Sequence, residues 1–201
     1  MEITATQVKE LREKTGAPIM DCKRALADAS ADIGEATRLL RERGIEVARK
    51  REGKATTEGT IAIYLHHDKR IGALVEVNCE TDFVAHSEDM QHFARELAMH
   101  VAAAKPEYVR GQDVPEQALE REREILREQA RKEGKPDHIV EKMVEGRLKK
   151  FYGETCLLEQ PFFRDEKRKT TVQDMLNELA AKVQENIVIK RFSRFAVGQE
   201  S

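Results

Sequence analysis

Residues 71–86 read IGALVEVNCETDFVAH, and the class of fold turns on how that stretch changes period. Ile71, Ala73, Val75, Val77 and Cys79 occupy alternate positions and would share one face of a strand. Then the alternation stops. At Thr81-Asp82-Phe83-Val84 a large aromatic ring follows directly on a carboxylate, where the strand should be ending. Ser87 supplies a hydroxyl able to cap a helix, and Glu88 and Asp89 place acid in its first turn. Phe93, Leu97 and Val101 give that helix a core stripe until Pro106 stops it.

Working outward, Ile61, Ile63 and Leu65 alternate toward one face before a polar turn at His67-Asp68-Lys69-Arg70, so a β-hairpin is predicted. Beyond Pro106, residues 115–134 spell a helix so charged that most of it must be solvated. A second helix from Pro136 carries Ile139, Val140, Met143 and Leu148, which together predict a helical hairpin at about 115–150. Val172, Leu176, Leu179 and Val183 mark another amphipathic helix, and IVIKRF with the Phe195 to Val197 region offers a third strand. Upstream the helix punctuation is plain. Thr4 and Gln7 have capping-box spacing ahead of Val8 and Leu11, Gly16 ends that helix, Pro18 opens a second, and Asp32 with Glu35 opens a third. The stretch REGKATTEG after it offers little to bury. The chain thus reads as α+β: a three-helix module at 1–50, a linker at 51–57, and a core at 58–201 in which a small antiparallel sheet packs with helices.

Composition narrows the function. Of 201 residues 40% are hydrophobic and 5% aromatic with no Trp, enough for a modest aliphatic core. Charged residues make up 36% but nearly cancel, leaving a net charge of −2, so no global field collects phosphates and direct nucleic-acid binding is disfavoured. The N-terminus lacks a basic and apolar leader and no run approaches bilayer length, which predicts a cytoplasmic chain without a membrane partner. Cys22, Cys79 and Cys156 are far apart and never paired as C-x-x-C, fitting reduced thiols, with intermolecular pairing of one left open.

Candidate catalytic groups fare poorly. Glu76, Glu80 and Asp82 surround Cys79 with negative charge, which raises a thiol pKa and works against a nucleophile. His66 and His67, if adjacent on a strand, point to opposite faces and cannot readily chelate one ion. His100 lies among alanines and reads as a packed or hydrogen-bonded residue. No phosphate loop, nucleophile elbow or H-E-x-x-H segment is present, so neither an enzyme nor a cofactor is expected.

Two segments, LREKTGAPIMDCKRAL at 11–26 and EVNCETDFVAH at 76–86, resemble the signature segments of bacterial elongation factor Ts, the guanine-nucleotide exchange factor of elongation factor Tu. AMHVAAAKPEYV, GKPDHIVEKMVEGRLKKFYGE and the EQPF segment ending at Phe162 extend the likeness over nearly the whole chain. His86 departs from the family's usual Lys, Arg or Asn, and there is one hairpin-plus-helix core unit where longer members have two. The resemblance implies that Thr81, Asp82, Phe83 and Val84 enter the nucleotide-binding domain of elongation factor Tu, the ring wedging between side chains and the aspartate working near the magnesium and phosphate region. Residues alone allow another role, in which Asp82 caps a turn and Phe83 plugs the open end of the hairpin.

Magnitudes limit what the wedge does unaided. Speeding nucleotide release ~1,000-fold lowers a barrier by about 4 kcal/mol, and burying one Phe supplies roughly 1.5 to 3. Other contacts must hold it. The resemblance of residues 1–50 to ubiquitin-associated-type three-helix domains implies docking through the loop after the first helix, where Arg12, Ile19 and Met20 lie; packing within the module is the alternative for the two apolar residues. A sheet this small leaves apolar surface that a second copy could cover, so a homodimer through the core is expected. The rival from another class is a helical adaptor without exchange activity.

Overall fold

Thr4 opens the first helix as its spacing predicts: its hydroxyl accepts from Gln7 N–H while the Gln7 side chain accepts from the Thr4 amide. The computed structural model describes residues 3–134 and 136–199. Along them run α1 (Ala5–Thr15), α2 (Ile19–Asp28), α3 (Ile33–Arg51), β1 (Glu58–Leu65), β2 (Ile71–Cys79) and α4 (Asp82–Ala85). There follow α5 (Glu88–Ala104), α6 (Glu116–Lys132), α7 (Asp137–Thr155), α8 (Val172–Val183) and β3 (Val188–Ala196). The three strands form one antiparallel sheet in the order β1-β2-β3, and the class is α+β. The described chain forms two compact units: Met1–Ile61, Glu76–Ala94 and Asp174–Ile189 make the first; Ala62–Val75, Arg95–Gln173 and Lys190–Ser201 the second.

In the first unit α1, α2 and α3 enclose a core of Leu11, Cys22, Ala25, Leu26, Ala29, Ala36 and Leu40. Gly16 takes φ 68°, a left-handed value that glycine adopts without strain, and it turns the chain from α1 toward α2. Asp32 caps α3 by accepting from Glu35 N–H at 2.6 Å. Farther along, α3 lies against α8. A Cβ added to Gly44 would stand 3.1 Å from the Ala181 Cβ, and Arg41 pairs with the largely buried Asp174 at 2.5 Å. Lys182, near the end of α8, pairs with Asp89 at 2.6 Å.

β2 is the central strand, and its inward residues Ala73, Val75, Val77 and Cys79 are fully buried. On β1 the buried residue is Ala62, whereas Ile61, Ile63 and Leu65 are 61, 69 and 58% exposed. The stripe that alternates so cleanly in sequence is therefore the outer face. Leu74, Phe195 and Val197 are exposed as well, so the second unit shows solvent an apolar sheet surface.

The helical hairpin forms as expected. Leu126 and Ala130 of α6 pack with Val140, Val144 and Leu148 of α7, and Arg127–Glu141 (2.9 Å) and Arg147–Glu133 (2.6 Å) pair across it. The solvated pairs contribute little beside the apolar seam. His100 of α5 is fully buried in the same unit. Phe163 N–H donates to its Nδ1 at 3.2 Å, so the ring's proton sits on Nε2 and is donated to Gln160 Oε1 at 2.9 Å. Gln160 in turn donates to the Glu154 carbonyl at 2.7 Å. A second ring proton would face a backbone donor.

Burial holds the His100 pKa below its ordinary value, against the opposing pull of Gln160. The folded state thus keeps the ring neutral while the unfolded chain takes up a proton near pH 6.5, so the stability this gives is full above that pH and declines as pH falls toward the folded pKa. Denaturant unfolding should lose up to about 1.4 kcal/mol per pH unit below ~6.5. The difference between wild type and His100→Gln should shrink with it; a difference constant from pH 7.5 to 5 would refute this origin.

Candidate functional site

A helix of four residues cannot stand alone in water, because nucleation is not repaid over one turn. Yet α4, Asp82–Ala85, leaves β2 in just that form. Side chains satisfy its ends. Thr81 Oγ1 accepts from Val84 N–H at 3.4 Å, and Ser87 Oγ donates to the Val84 carbonyl at 2.8 Å. Gln91 Nε2 donates to the Ala85 carbonyl at 2.7 Å. His86 lies with Nδ1 2.7 Å from the Asp82 carbonyl, which can only accept, so the ring carries its proton on Nδ1.

The N-terminal side is held by a carboxylate from far along the chain. Glu185 Oε2 accepts from the amides of Glu80 and Thr81 at 3.0 and 3.1 Å, and its Oε1 accepts from the Thr81 hydroxyl at 2.6 Å. Glu80 reciprocates, accepting from Asn186 N–H at 2.7 Å and pairing with Arg51 at 3.2 Å. Asn186 Nδ2 then donates to the Lys54 carbonyl at 2.9 Å.

With its backbone so fixed, α4 displays rather than buries its central side chain. Phe83 is 84% exposed, with Thr81 and Asp82 exposed beside it and Val84 half-buried. Phe83 does not plug the hairpin, and Thr81 rather than Asp82 is the cap; α4 buries Ala85, is braced by polar groups at both ends, and turns the ring outward. Arg12, Ile19 and Met20 lie around the α1–α2 turn, all exposed, Ile19 by 52% and Met20 by 65%. Neither apolar residue is spent on packing within the three helices.

Cys79 is fully buried and its thiol donates to the Thr81 carbonyl at 3.1 Å. Burial above all, with the Glu185 charge adding, pushes its pKa up to about 11, so it is protonated and sheltered at neutral pH. Cys22 and Cys156 are likewise free and buried, which leaves none of the three thiols presented for intermolecular pairing. His66 and His67 follow the end of β1, so they do not point to opposite strand faces; their rings lie 4.3 Å apart, and Nδ1 of His66 is engaged by the Tyr64 hydroxyl at 2.9 Å. Among the described residues no group of three His, Cys, Asp or Glu side chains is placed to hold a metal ion, and no helix is long and apolar enough to cross a membrane.

Sequence reasoning did not find Glu185, Gln91 or Asn186. Gln91 lies on a recognised helix, but nothing local marks Glu185 and Asn186, which reach the motif only through the turn after α8, where Gln184 takes φ 58°.

A family model described as elongation factor TS matches residues 1–199. The chain is 56% identical over 197 residues to elongation factor Ts of Carboxydothermus hydrogenoformans, covering 98% of this chain and 90% of that one. It is 54% identical to elongation factor Ts of Caldanaerobacter subterraneus, covering 98% of each, and 50% identical to that of Geobacter sulfurreducens, covering 99% and 91%.

Because the thiol beside the motif is protonated and buried, iodoacetamide at pH 7.5 should leave Cys79 unmodified in the folded protein and alkylate it fully in urea, as peptide mass spectrometry would read. Rapid labelling of Cys79 in the native state would restore it as a reactive group.

Proposed function

The chain belongs to the elongation factor Ts family and is on that ground a factor of translation elongation; from that premise we propose that it is the guanine-nucleotide exchange factor of elongation factor Tu, working in the cytoplasm without chemical catalysis or cofactor of its own. The observation that carries the reading is the exposure of Phe83 on a fixed four-residue helix. A solvated phenyl ring gains roughly 1.5 to 3 kcal/mol on entering an apolar slot, and with its backbone already fixed only side-chain freedom is lost on entry. Inserted beside the partner's nucleotide site it would disturb the magnesium and phosphate contacts, with the Asp82 carboxylate brought close to both. Mg²⁺ demands near-octahedral coordination, so a small displacement of its ligands weakens the ion and the diphosphate together.

In this reading residues 1–50 form the docking module and residues 58–201 the core. Ile19 and Met20, with Arg12 at their side, anchor the partner, whose nucleotide-free form must be held more tightly than its GDP form because coupling is reciprocal. Release of a fluorescent GDP, followed at saturating factor, tests the division. Phe83→Ala should slow the maximum rate by about tenfold or more and Asp82→Ala less, whereas Ile19→Asp with Met20→Asp should raise the half-saturating concentration. Release at the wild-type rate by Phe83→Ala would end the wedge reading.

The exposed sheet surface of the second unit, Ile63, Leu65, Leu74, Phe195 and Val197, supports a homodimer in which the same patch meets itself across a two-fold axis. Light scattering at micromolar concentration should give twice the chain mass, falling to one chain in Ile63→Asp with Phe195→Asp. A wild-type monomer would overturn it.

A further inference from the structure

The side chain that fixes the exchange segment belongs to neither the segment nor its strand. We propose that Glu185 is the positioning residue of the site: it sets where Phe83 stands and acts on the partner only through Thr81 and α4. This rests on the exchange reading above and adds its device.

The geometry is specific to that task. Thr81 is fastened at each polar atom: its amide and hydroxyl donate to Glu185, its carbonyl accepts from Ala85 N–H and from the Cys79 thiol, and its Oγ1 accepts from Val84 N–H. The hydroxyl proton is committed to Glu185 at 2.6 Å, which leaves an Oγ1 lone pair for the helix cap. Removing Glu185 therefore frees the hydroxyl to rotate and weakens the cap, besides exposing the amides of Glu80 and Thr81. The bonds it accepts from two amides and a hydroxyl are charge-assisted and so stronger than neutral ones.

A glutamine at 185 keeps one oxygen to accept from both amides and turns the third bond round, its NH₂ donating to the second lone pair of Thr81 Oγ1 while Val84 N–H keeps the first; an alanine keeps none of these. Fluorescent-GDP release from the GDP-bound partner should show Glu185→Ala slowed about ten- to a hundredfold in maximum rate, with the half-saturating concentration within about twofold, since the anchors are untouched. Glu185→Gln should stay within about threefold of wild type. In the Phe83→Ala background, Glu185→Ala should cost almost nothing further, because a wedge already absent cannot be misplaced. Amide hydrogen exchange should accelerate at Val84, Ala85 and His86 in Glu185→Ala and not in Glu185→Gln. Wild-type rate or unchanged amide protection in Glu185→Ala overturns the proposal, as does an equal loss in both backgrounds. If Phe83→Ala itself releases at the wild-type rate, the exchange reading fails and Glu185's part in it fails too, which separates that failure from a slow Phe83→Ala beside an unaffected Glu185→Ala.

Discussion

One carboxylate oxygen accepting two successive backbone amides is the constraint from which the site follows. Where β2 stops, the N–H groups of Glu80 and Thr81 lose the ladder partners a longer strand would give them, and amides without partners are costly to leave unpaired. Glu185 takes both, and Glu80 returns the favour to Asn186. The exchange of carboxylates ties the strand exit to the turn after α8. With polar groups bracing both ends of the turn and the small Ala85 as its buried residue, the largest apolar side chain there, Phe83, is left to solvent.

The sheet shows a related economy of faces. β2 lies between two edge strands and turns Ala73, Val75, Val77 and Cys79 wholly inward, so the interior is served by the centre of the sheet. β1 contributes only Ala62 to the buried side, a small residue that leaves its larger neighbours for the outer surface. Beside Ile19 and Met20 on the helices, two displays of apolar side chains differ in kind: a lone ring on a braced turn, and a patch spread over pleated backbone. A lone ring can enter a slot; a flat patch needs a flat counterpart.

Local signals made most of the fold legible. Thr4 with Gln7 and Asp32 before Glu35 read as caps and are caps; the period-two stretches became strands, and the charged run with its apolar successor became the α6–α7 hairpin. What sequence could not tell was orientation. Ile61, Ile63 and Leu65 alternate as well as Ala73, Val75 and Val77, and only tertiary context decides which set faces the interior. At the site, the odd placement of Phe83 in Thr81-Asp82-Phe83-Val84 was visible as a break in period, whereas its brace was not, since Glu185 stands 104 residues from Thr81 with no motif of its own. The buried state of Cys79 followed from its strand position, and its thiol pKa is raised as expected but for other reasons: burial first, then the charges of Glu185 and Glu58 rather than those of Glu76, Glu80 and Asp82 beside it in sequence.

Helix α3 touches both ends of this arrangement. Its early residues Ala36 and Leu40 sit in the core of the three helices, Gly44 meets α8, and Arg51 at its last turn pairs with Glu80 beside the motif. A 19-residue helix is a strut of about 28 Å, so the surface around Ile19 and Met20 and the ring of Phe83 are joined through a stiff member as well as through loops. In the proposed division of roles, a partner seized at the first would meet the second as a chelating ligand meets its remaining donor: the second encounter would be intramolecular, at an effective concentration set by a rigid spacing. Recognition then becomes partly a measurement of length, and a protein with suitable slots at the wrong separation gains the chemistry of both contacts without their cooperation.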